Sequence, residues 1–292
     1  MKVIKNMIRY ILDLLLTGVA IILMVALAMF FRRDSSISAW DAFAGIVKGV
    51  FHSFLSIDQI QIQFGETMRV SKFLDLFQER YYYSLVILAG ALFTTFLAAL
   101  LLELLNYFSP RWLKHIYREV AFIIQSIPDV LLIFSIQLGI IWFYQRTEVL
   151  LFDPFTGFEK IYTLPILTLS ILPVVMLFQM IDLSVSEEED KLYVTFAYAK
   201  GFSKREVFFK HILRNTVLTM FANLQYLFWF MISNLLIMEI LFNMDGLMRF
   251  IRFLLGDPFL LVISLILLFL PFYFIDTIGK SFVKRIAGGG QS

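Results

Sequence analysis

Six long apolar runs, none containing a lysine or arginine, constrain this chain more than any other feature. They are Ile11–Phe31, Ser84–Leu105, Val120–Tyr144, Leu164–Ile181, Val217–Phe242 and Pro258–Ile278. All 25 basic residues fall in the connections or the tails. A bilayer core takes about 20 apolar residues per helix. Its interior offers no water to backbone groups, so only helices and closed barrels cross it. A barrel strand would alternate apolar and polar residues, and these runs do not alternate. The sequence therefore predicts an all-α polytopic membrane protein with six transmembrane helices. Composition agrees: of 292 residues, 60% are hydrophobic and only 16% are charged, against about 25% charged in a soluble domain. A net charge of +2 is too small to imply a nucleic-acid partner. There is no cysteine, which removes disulfides, thiolate nucleophiles and cysteine–metal sites.

Basic residues set the orientation. With both termini inside, the cytoplasmic segments hold 15 Lys and Arg and the external segments 10. Both basic tails (Lys2, Lys5, Arg9 and Lys280, Lys284, Arg285) then lie in the cytoplasm, so the expected topology is N-in/C-in. The first run is longer than a signal-peptide core. It ends in Phe30-Phe31-Arg32-Arg33 rather than small residues, so it is expected to be retained. The expected organisation is residues 1–83 as the first helix plus an extracytoplasmic segment, and residues 84–285 as a five-helix core with a loop at 182–216. Residues 286–292 form a short cytoplasmic tail.

In the extracytoplasmic segment, Ser38 and Asp41 have capping-box spacing. Trp40, Phe43, Val47, Val50, Phe51 and Phe54 follow at helical spacing, predicting an amphipathic helix on the outer surface or over the bundle. Ile60, Ile62 and Phe64 alternate with Gln61 and Gln63, predicting a short extended piece. Between Met244 and Gly256, Leu247, Phe250, Ile251 and Leu254 predict a short external helix or a re-entrant piece. Asp257-Pro258 reads as the N-cap and first residue of the last helix.

Tyr193 to Asn215, YVTFAYAKGFSKREVFFKHILRN, is a basic stretch between two apolar runs with an ordered pattern. Ser186 and Glu189 can box the start of one helix running to about Lys200. Gly201 suits the position after its end, where φ is positive. Ser203-Lys204-Arg205-Glu206 can box the start of the next. Pattern alone leaves two readings of similar weight: a docking element for another chain, or a loop whose basic residues meet anionic lipid.

This stretch resembles the cytoplasmic loop of binding-protein-dependent ABC importer permeases, the loop with the E-A-A-x-x-x-G signature. More closely it resembles the B-type permease of the dipeptide/oligopeptide/nickel branch, whose loop reads roughly Y-V-x-x-A-x-A-K-G-x-S and then R-H-x-L-R-N. Tyr193, Val194, Ala197, Ala199, Lys200, Gly201 and Ser203 match, followed by His211, Leu213, Arg214 and Asn215. Thr195 and Phe196 replace the Glu-Ala of the signature. Met238-Glu239-Ile240-Leu241-Phe242 with Gly246 resembles V-E-T-V-F-x-x-P-G-L-G, with Asp245 where its Pro would stand. Gln125-Ser126-Ile127-Pro128 resembles the S-I-P of the third span, and Asp276 fits an acidic position in the last. The resemblance runs from about Gly65 to Arg285.

The resemblance implies a permease subunit in the bacterial inner membrane, forming half of a translocation path. Implied partners are a second permease, usually a different chain, two cytosolic ATPase subunits, and an extracellular or periplasmic solute-binding protein. ATP and magnesium would belong to the ATPases; no cofactor is expected in this chain, and no G-x-x-x-x-G-K-[ST] occurs in it. Tyr193, Ala197, Lys200, Gly201, Phe202 and Ser203 would form the ATPase-coupling surface. The implied cargo is peptides, with nickel or other chelates and small solutes as alternatives.

Polar residues inside spans normally face a bundle interior or a water path. Asp129 lies about 13 Å into the third run at ~1.5 Å per residue, one residue after Pro128, which can kink the helix. The fifth run carries Asn223, Tyr226, Phe230, Ser233 and Asn234 in an approximate stripe, with Glu239 near its outer end. These are candidates for lining the path; the other reading is helix–helix hydrogen bonding. Asp13 and Glu103, near cytoplasmic span ends, are expected to reach the interface. A different class, an intramembrane enzyme, finds little support. His52, His115 and His211 all lie outside the runs, and the chain has no H-E-x-x-H. A non-transporting membrane scaffold is the third reading.

Overall fold

The computed structural model describes residues 2–32, 39–64, 69–157, 159–270 and 273. Ser38, Gly65, Asp276, the basic residues of the C-terminal tail and residues 286–292 lie outside the described residues. The chain divides into two compact units: Met1–Ser84 with Asp245–Ile275, and Leu85–Met244 with Asp276–Ser292.

The first unit opens with α1 (Lys2–Arg32) and α2 (Ala39–Leu55). Ile21, Val25 and Ala26 of α1 bury Ile46 of α2, with Phe43 and Val50 packed alongside. The expected stripe on α2 is therefore only partly correct. Ile46 forms the buried edge, and Trp40, Phe51 and Phe54 are exposed. Gly49 allows a close approach: a Cβ there would lie 2.0 Å from Cε1 of Phe259. The alternating Gln/apolar stretch is a strand, β1 (Gln61–Phe64), paired antiparallel with β2 (Arg69–Lys72). The Phe73 amide donates to the Ile60 carbonyl at 2.9 Å, leading straight into α3 (Phe73–Phe108).

Near the start of α3, Arg80 is buried and grips Asp245 bidentately, at 2.9 and 2.6 Å. Its guanidinium also lies over the Phe250 ring, 5.3 Å from the centroid. The predicted short helix is α11 (Leu247–Phe253), and its first amide donates to Ser84 Oγ at 2.8 Å. Asp257 caps the next helix, α12 (Pro258–Leu270), accepting from the amides of Phe259 and Leu260 at 3.0 and 3.1 Å. That cap is as expected from the Asp-Pro pair.

The second unit is built around α6 (Thr163–Glu189), which is buried along most of its length. The rest of α3, α4 (Arg111–Gln125), α5 (Asp129–Thr147), α7 (Leu192–Ala199), α8 (Lys204–Val207), α9 (Leu213–Ala222) and α10 (Leu224–Leu241) complete it. Leu177 and Ile181 of α6 share a core with Phe208, Ile212 and Leu227.

Several boundaries need correction. The third run is not one kinked span. Pro128 has no amide to donate and disfavours helix at Ile127, so the chain breaks there into α4 and α5. Asp129 is consequently the first residue of α5, where the helix dipole favours a carboxylate. The second run extends to 36 residues of continuous helix, about 54 Å. The fifth is interrupted at Asn223, whose φ of −92° and ψ of 0° separate α9 from α10. Among the described residues, four helices are long and apolar enough to cross a membrane: Phe73–Phe108, Asp129–Thr147, Thr163–Glu189 and Leu224–Leu241. Leu12–Ala28 and Pro258–Leu270 are shorter apolar stretches.

Asp245→Ala leaves the buried Arg80 guanidinium without its carboxylate. We expect a loss of about 1–3 kcal/mol, read as a lower thermal midpoint in detergent, with Asp245→Asn intermediate.

Candidate coupling loop and polar span residues

The loop begins where α6 runs out of core. Asp190 ends the helix, and Lys191 is extended before α7. The expected Ser186–Glu189 box does not form. Both residues belong to the last turns of α6, and the Ser186 hydroxyl donates back to the Asp182 carbonyl at 2.8 Å. What caps this corner instead is Glu188. Its carboxylate accepts from Lys191 Nζ, from the Tyr193 hydroxyl, and from Asn215 Nδ2 at 2.9 Å. One side chain thus ties the end of α6 to the start of α7 and to α9. Burial, then donation to Glu188, pushes the Tyr193 phenol up to about 12.

Helix α7 closes as a Schellman motif. Gly201 has φ +85°. The Phe202 amide donates to the Ala197 carbonyl at 3.2 Å and the Gly201 amide to Tyr198 at 2.9 Å, which satisfies two end carbonyls. A Cβ at Gly201 meets nothing within 4 Å among the described residues. Glycine is required by the backbone angle, not by crowding. The second box forms as expected: Ser203 Oγ accepts from the Glu206 amide at 3.4 Å, and Glu206 Oε2 accepts from the Ser203 amide at 2.9 Å. The backbone bond from Ser203, followed by its hydroxyl, holds the Glu206 carboxyl below its ordinary range.

After α8 the chain makes a π-helical turn, Phe208–Ile212, before α9. Lys204 anchors this side. Its ammonium donates to the Tyr107 carbonyl at 2.9 Å and lies 4.5 Å from the Tyr107 ring centroid. A cation there meets the carbonyl end of α3. The Phe208 ring packs tilted against Tyr107, with centroids 4.3 Å apart.

The predicted coupling residues separate into two sets. Lys200, Gly201 and Ser203 are exposed, with Lys200 Nζ 4.6 Å from the Phe196 ring centroid. Ala197 is buried in the core and Phe202 is half-buried; Tyr193 is exposed but commits its hydroxyl to Glu188. The exposed apolar face of α7 belongs to Leu192 (88% exposed) and Phe196 (61%). Sequence reasoning passed over both, although Leu192, Phe196 and Lys200 recur at every fourth position, which is one helical face.

The predicted path residues separate likewise. Asn234 and Glu239 are buried, and Tyr226 and Ser233 are exposed. Asn223, half-buried, donates from Nδ2 to the Thr219 carbonyl at 2.8 Å beside the helix break. Ser233 and Asn234 both donate to carbonyls four residues back, at 3.0 and 3.2 Å. Asp129 is half-buried at the start of α5. Glu103 does not reach the interface as expected: it is buried, and Asn106 Nδ2 bridges it to Asp182 at 3.1 and 2.8 Å. Arg118 completes the group with two bonds to Asp182, at 2.7 and 3.0 Å.

Residues 90–287 match the family described as binding-protein-dependent transport system inner membrane component. The chain belongs to that family. The matched region contains the whole Gly201 loop and α10. Among solved structures, the fold of this transport component is similar to a chain described under "Inward facing conformations of the MetNI methionine ABC transporter". The TM-score is 0.58 at 14% identity, covering 76% of this chain and 99% of that one. No curated protein matches the chain at a significant level.

The lowered Glu206 carboxyl has a consequence for pH. Its capping contribution is present above the ordinary glutamate range and is lost as pH falls through the lower folded value. The Ser203 and Glu206 amides, corrected for intrinsic exchange, should lose protection on acidification. A Glu206→Gln chain should show no such step.

Proposed function

We propose that this family member is the permease subunit of an ATP-driven importer, coupled to a cytosolic ATPase through α7 and the Gly201 turn. One observation carries the coupling role. α7 is a short helix with an exposed apolar face, held to α6 and α9 by Glu188 and Asn215, while α8, joined to it through the Gly201 turn, is held to the end of α3 by Lys204. A push on Leu192 and Phe196 is therefore passed to three helices at once rather than absorbed by a loose loop. Rigid rocking of such a bundle about a central path is the general form of alternating access.

On this reading both termini are cytoplasmic, and the chain sits in a bacterial inner membrane beside a second permease, a different chain. Two ATPase subunits supply ATP and magnesium chemistry, and a solute-binding protein delivers cargo from outside. The loop match Y-V-x-x-A-x-A-K-G-x-S favours oligopeptides or dipeptides as that cargo. Within the span, the exposed side chains Tyr226 and Ser233 are the better candidates for touching it. Asn234 and Glu239, buried within the chain, fit helix–helix support.

Transport and ATP hydrolysis measured together in vesicles test this. Phe196→Asp and Leu192→Asp should reduce ATP-driven uptake at least about tenfold, since burying an unpaired charge at an interface costs several kcal/mol, while the chain still inserts. Gly201→Trp should do the same, because an L side chain is strained at that φ and projects into the open space at the turn. Normal uptake by Gly201→Trp would sink the coupling assignment.

A further inference from the structure

Helix α4 has two stripes that the transport reading does not use. Arg111, Lys114, His115 and Arg118 recur at spacings of three, four and seven, which is one helical face. Trp112, Ile116, Val120 and Ile123 recur at four, eight and eleven and form another, and all four are exposed. A third flank, with Ala121 buried and Tyr117 and Ile124 packed beside it, fastens the helix to the core of its unit. α4 is not among the helices long and apolar enough to span. A bound helix with one free apolar face and one basic face suits the plane between acyl chains and headgroups.

The basic half of α4 lies at the same end of its unit as the coupling loop. Lys114 Nζ is 5.4 Å from the Tyr107 ring centroid, and Lys204 of α8 donates to the carbonyl of that same tyrosine at 2.9 Å. The four basic side chains are not equally available. Arg118 is committed to Asp182 by two bonds, and His115 lies 3.9 Å from Glu119. Arg111 is exposed, and it opens a helix whose first turn carries no acidic residue and whose N-cap, Pro110, makes no side-chain cap bond. Such a helix start attracts an anion, and the Arg111 guanidinium adds a bidentate phosphate partner. Trp112, next to it, is the side-chain type enriched at the membrane–water boundary.

We propose that α4 is an anionic-phospholipid site: Trp112, Ile116, Val120 and Ile123 enter the acyl region, while Arg111 and Lys114 hold a negatively charged headgroup such as that of phosphatidylglycerol. The partner is fixed by charge, since Arg111, exposed, and Lys114, half-buried beside the Tyr107 ring, are cations, and the acid nearby, Glu119, faces His115. A zwitterionic headgroup has no net charge to offer them. The proposal rests on the membrane-spanning reading and is independent of ATPase coupling, so it survives if coupling fails.

The full chain, with Trp40, Trp142 and Trp229 replaced by Phe, retains Trp112 as its single tryptophan, excited apart from tyrosine. It is reconstituted, with partner subunits whose tryptophans are likewise replaced, in phosphatidylcholine vesicles containing one-third phosphatidylglycerol. Bromine is placed on the acyl chains of one lipid or the other. Brominated phosphatidylglycerol should quench Trp112 more than its share of the bilayer predicts, and Arg111→Gln with Lys114→Gln should abolish the excess. At about a fivefold change in affinity per charge, both charges are needed for the full preference. Arg111→Lys with Lys114→Arg should restore it. Lipid retained by the otherwise native chain through purification, measured for the same charge variants, gives a readout without the tryptophan replacements. Quenching by each lipid in proportion to its share of the bilayer would overturn the headgroup assignment. No quenching by either would mean that a protein partner covers this face, and would overturn the site altogether.

Discussion

Glu188 accepts hydrogen bonds from three residues in two parts of the chain that turns otherwise separate. Lys191 and Tyr193 bring the start of α7 to it, and Asn215 brings α9. An ionised carboxylate is acceptor-only, with room for about four donors. Three charged or polar donors at one buried corner give the loop a fixed geometry that a chain of exposed residues would lack. Without this node α7 would be eight residues of helix on a tether. A helix that short does not persist in water by propensity alone. The loop's shape depends on the end of α6, and α6 is in turn the most buried helix of its unit.

The same helix carries a second polar node one to two turns earlier. Asp182 takes Arg118 from α4 and Asn106 from α3, and Asn106 also reaches the buried Glu103. The two acidic side chains share the Asn106 amide, and Asp182 alone takes the guanidinium. Together the Asp182 and Glu188 groups fasten α3, α4, α7 and α9 to a single helix by directional bonds. Apolar packing in a membrane is weakly selective, because lipid tails are as apolar as leucine. Hydrogen-bonded nodes therefore define which helices meet and at what height.

Backbone chemistry was the most legible part of this chain. Gly201, Ser203–Glu206 and Asp257-Pro258 announced their roles because each solves a local hydrogen-bond problem with few alternatives. The Ser186–Glu189 pair had the same spacing and failed. Its residues are still inside α6, where buried neighbours extend the helix beyond what a local pattern can report. Pro128 was read as a kink although it is a full break, since a run that is apolar on both sides of a proline conceals where one helix ends and the next begins. The exposed face of α7 was half legible. A match to a signature marks positions but not faces, so Ala197, which is buried, was expected at the surface, while exposed Phe196 was passed over. Glu103 and Glu188 were least legible. Each has local partners, but what fixes it is distant: Asn106, beside Glu103, reaches Asp182 76 residues on, and Glu188 takes Asn215 from 27 residues away, and no pattern in the sequence connects these pairs.

Gly201 shows what kind of restriction a turn can impose. Around it there is room for a side chain, and still an L residue is disfavoured. The chain tolerates left-handed backbone at Glu148 and Asn243, with φ of 57° and 51°, within reach of ordinary residues. At 85° Gly201 lies further out. The selection at this position is therefore by handedness rather than by size. A D-alanine placed there by chemical ligation would fit the turn that an L-alanine strains, although it is the larger departure from the genetic alphabet. The joint between α7 and α8 is closed to most of the ribosome's repertoire but open to its mirror image.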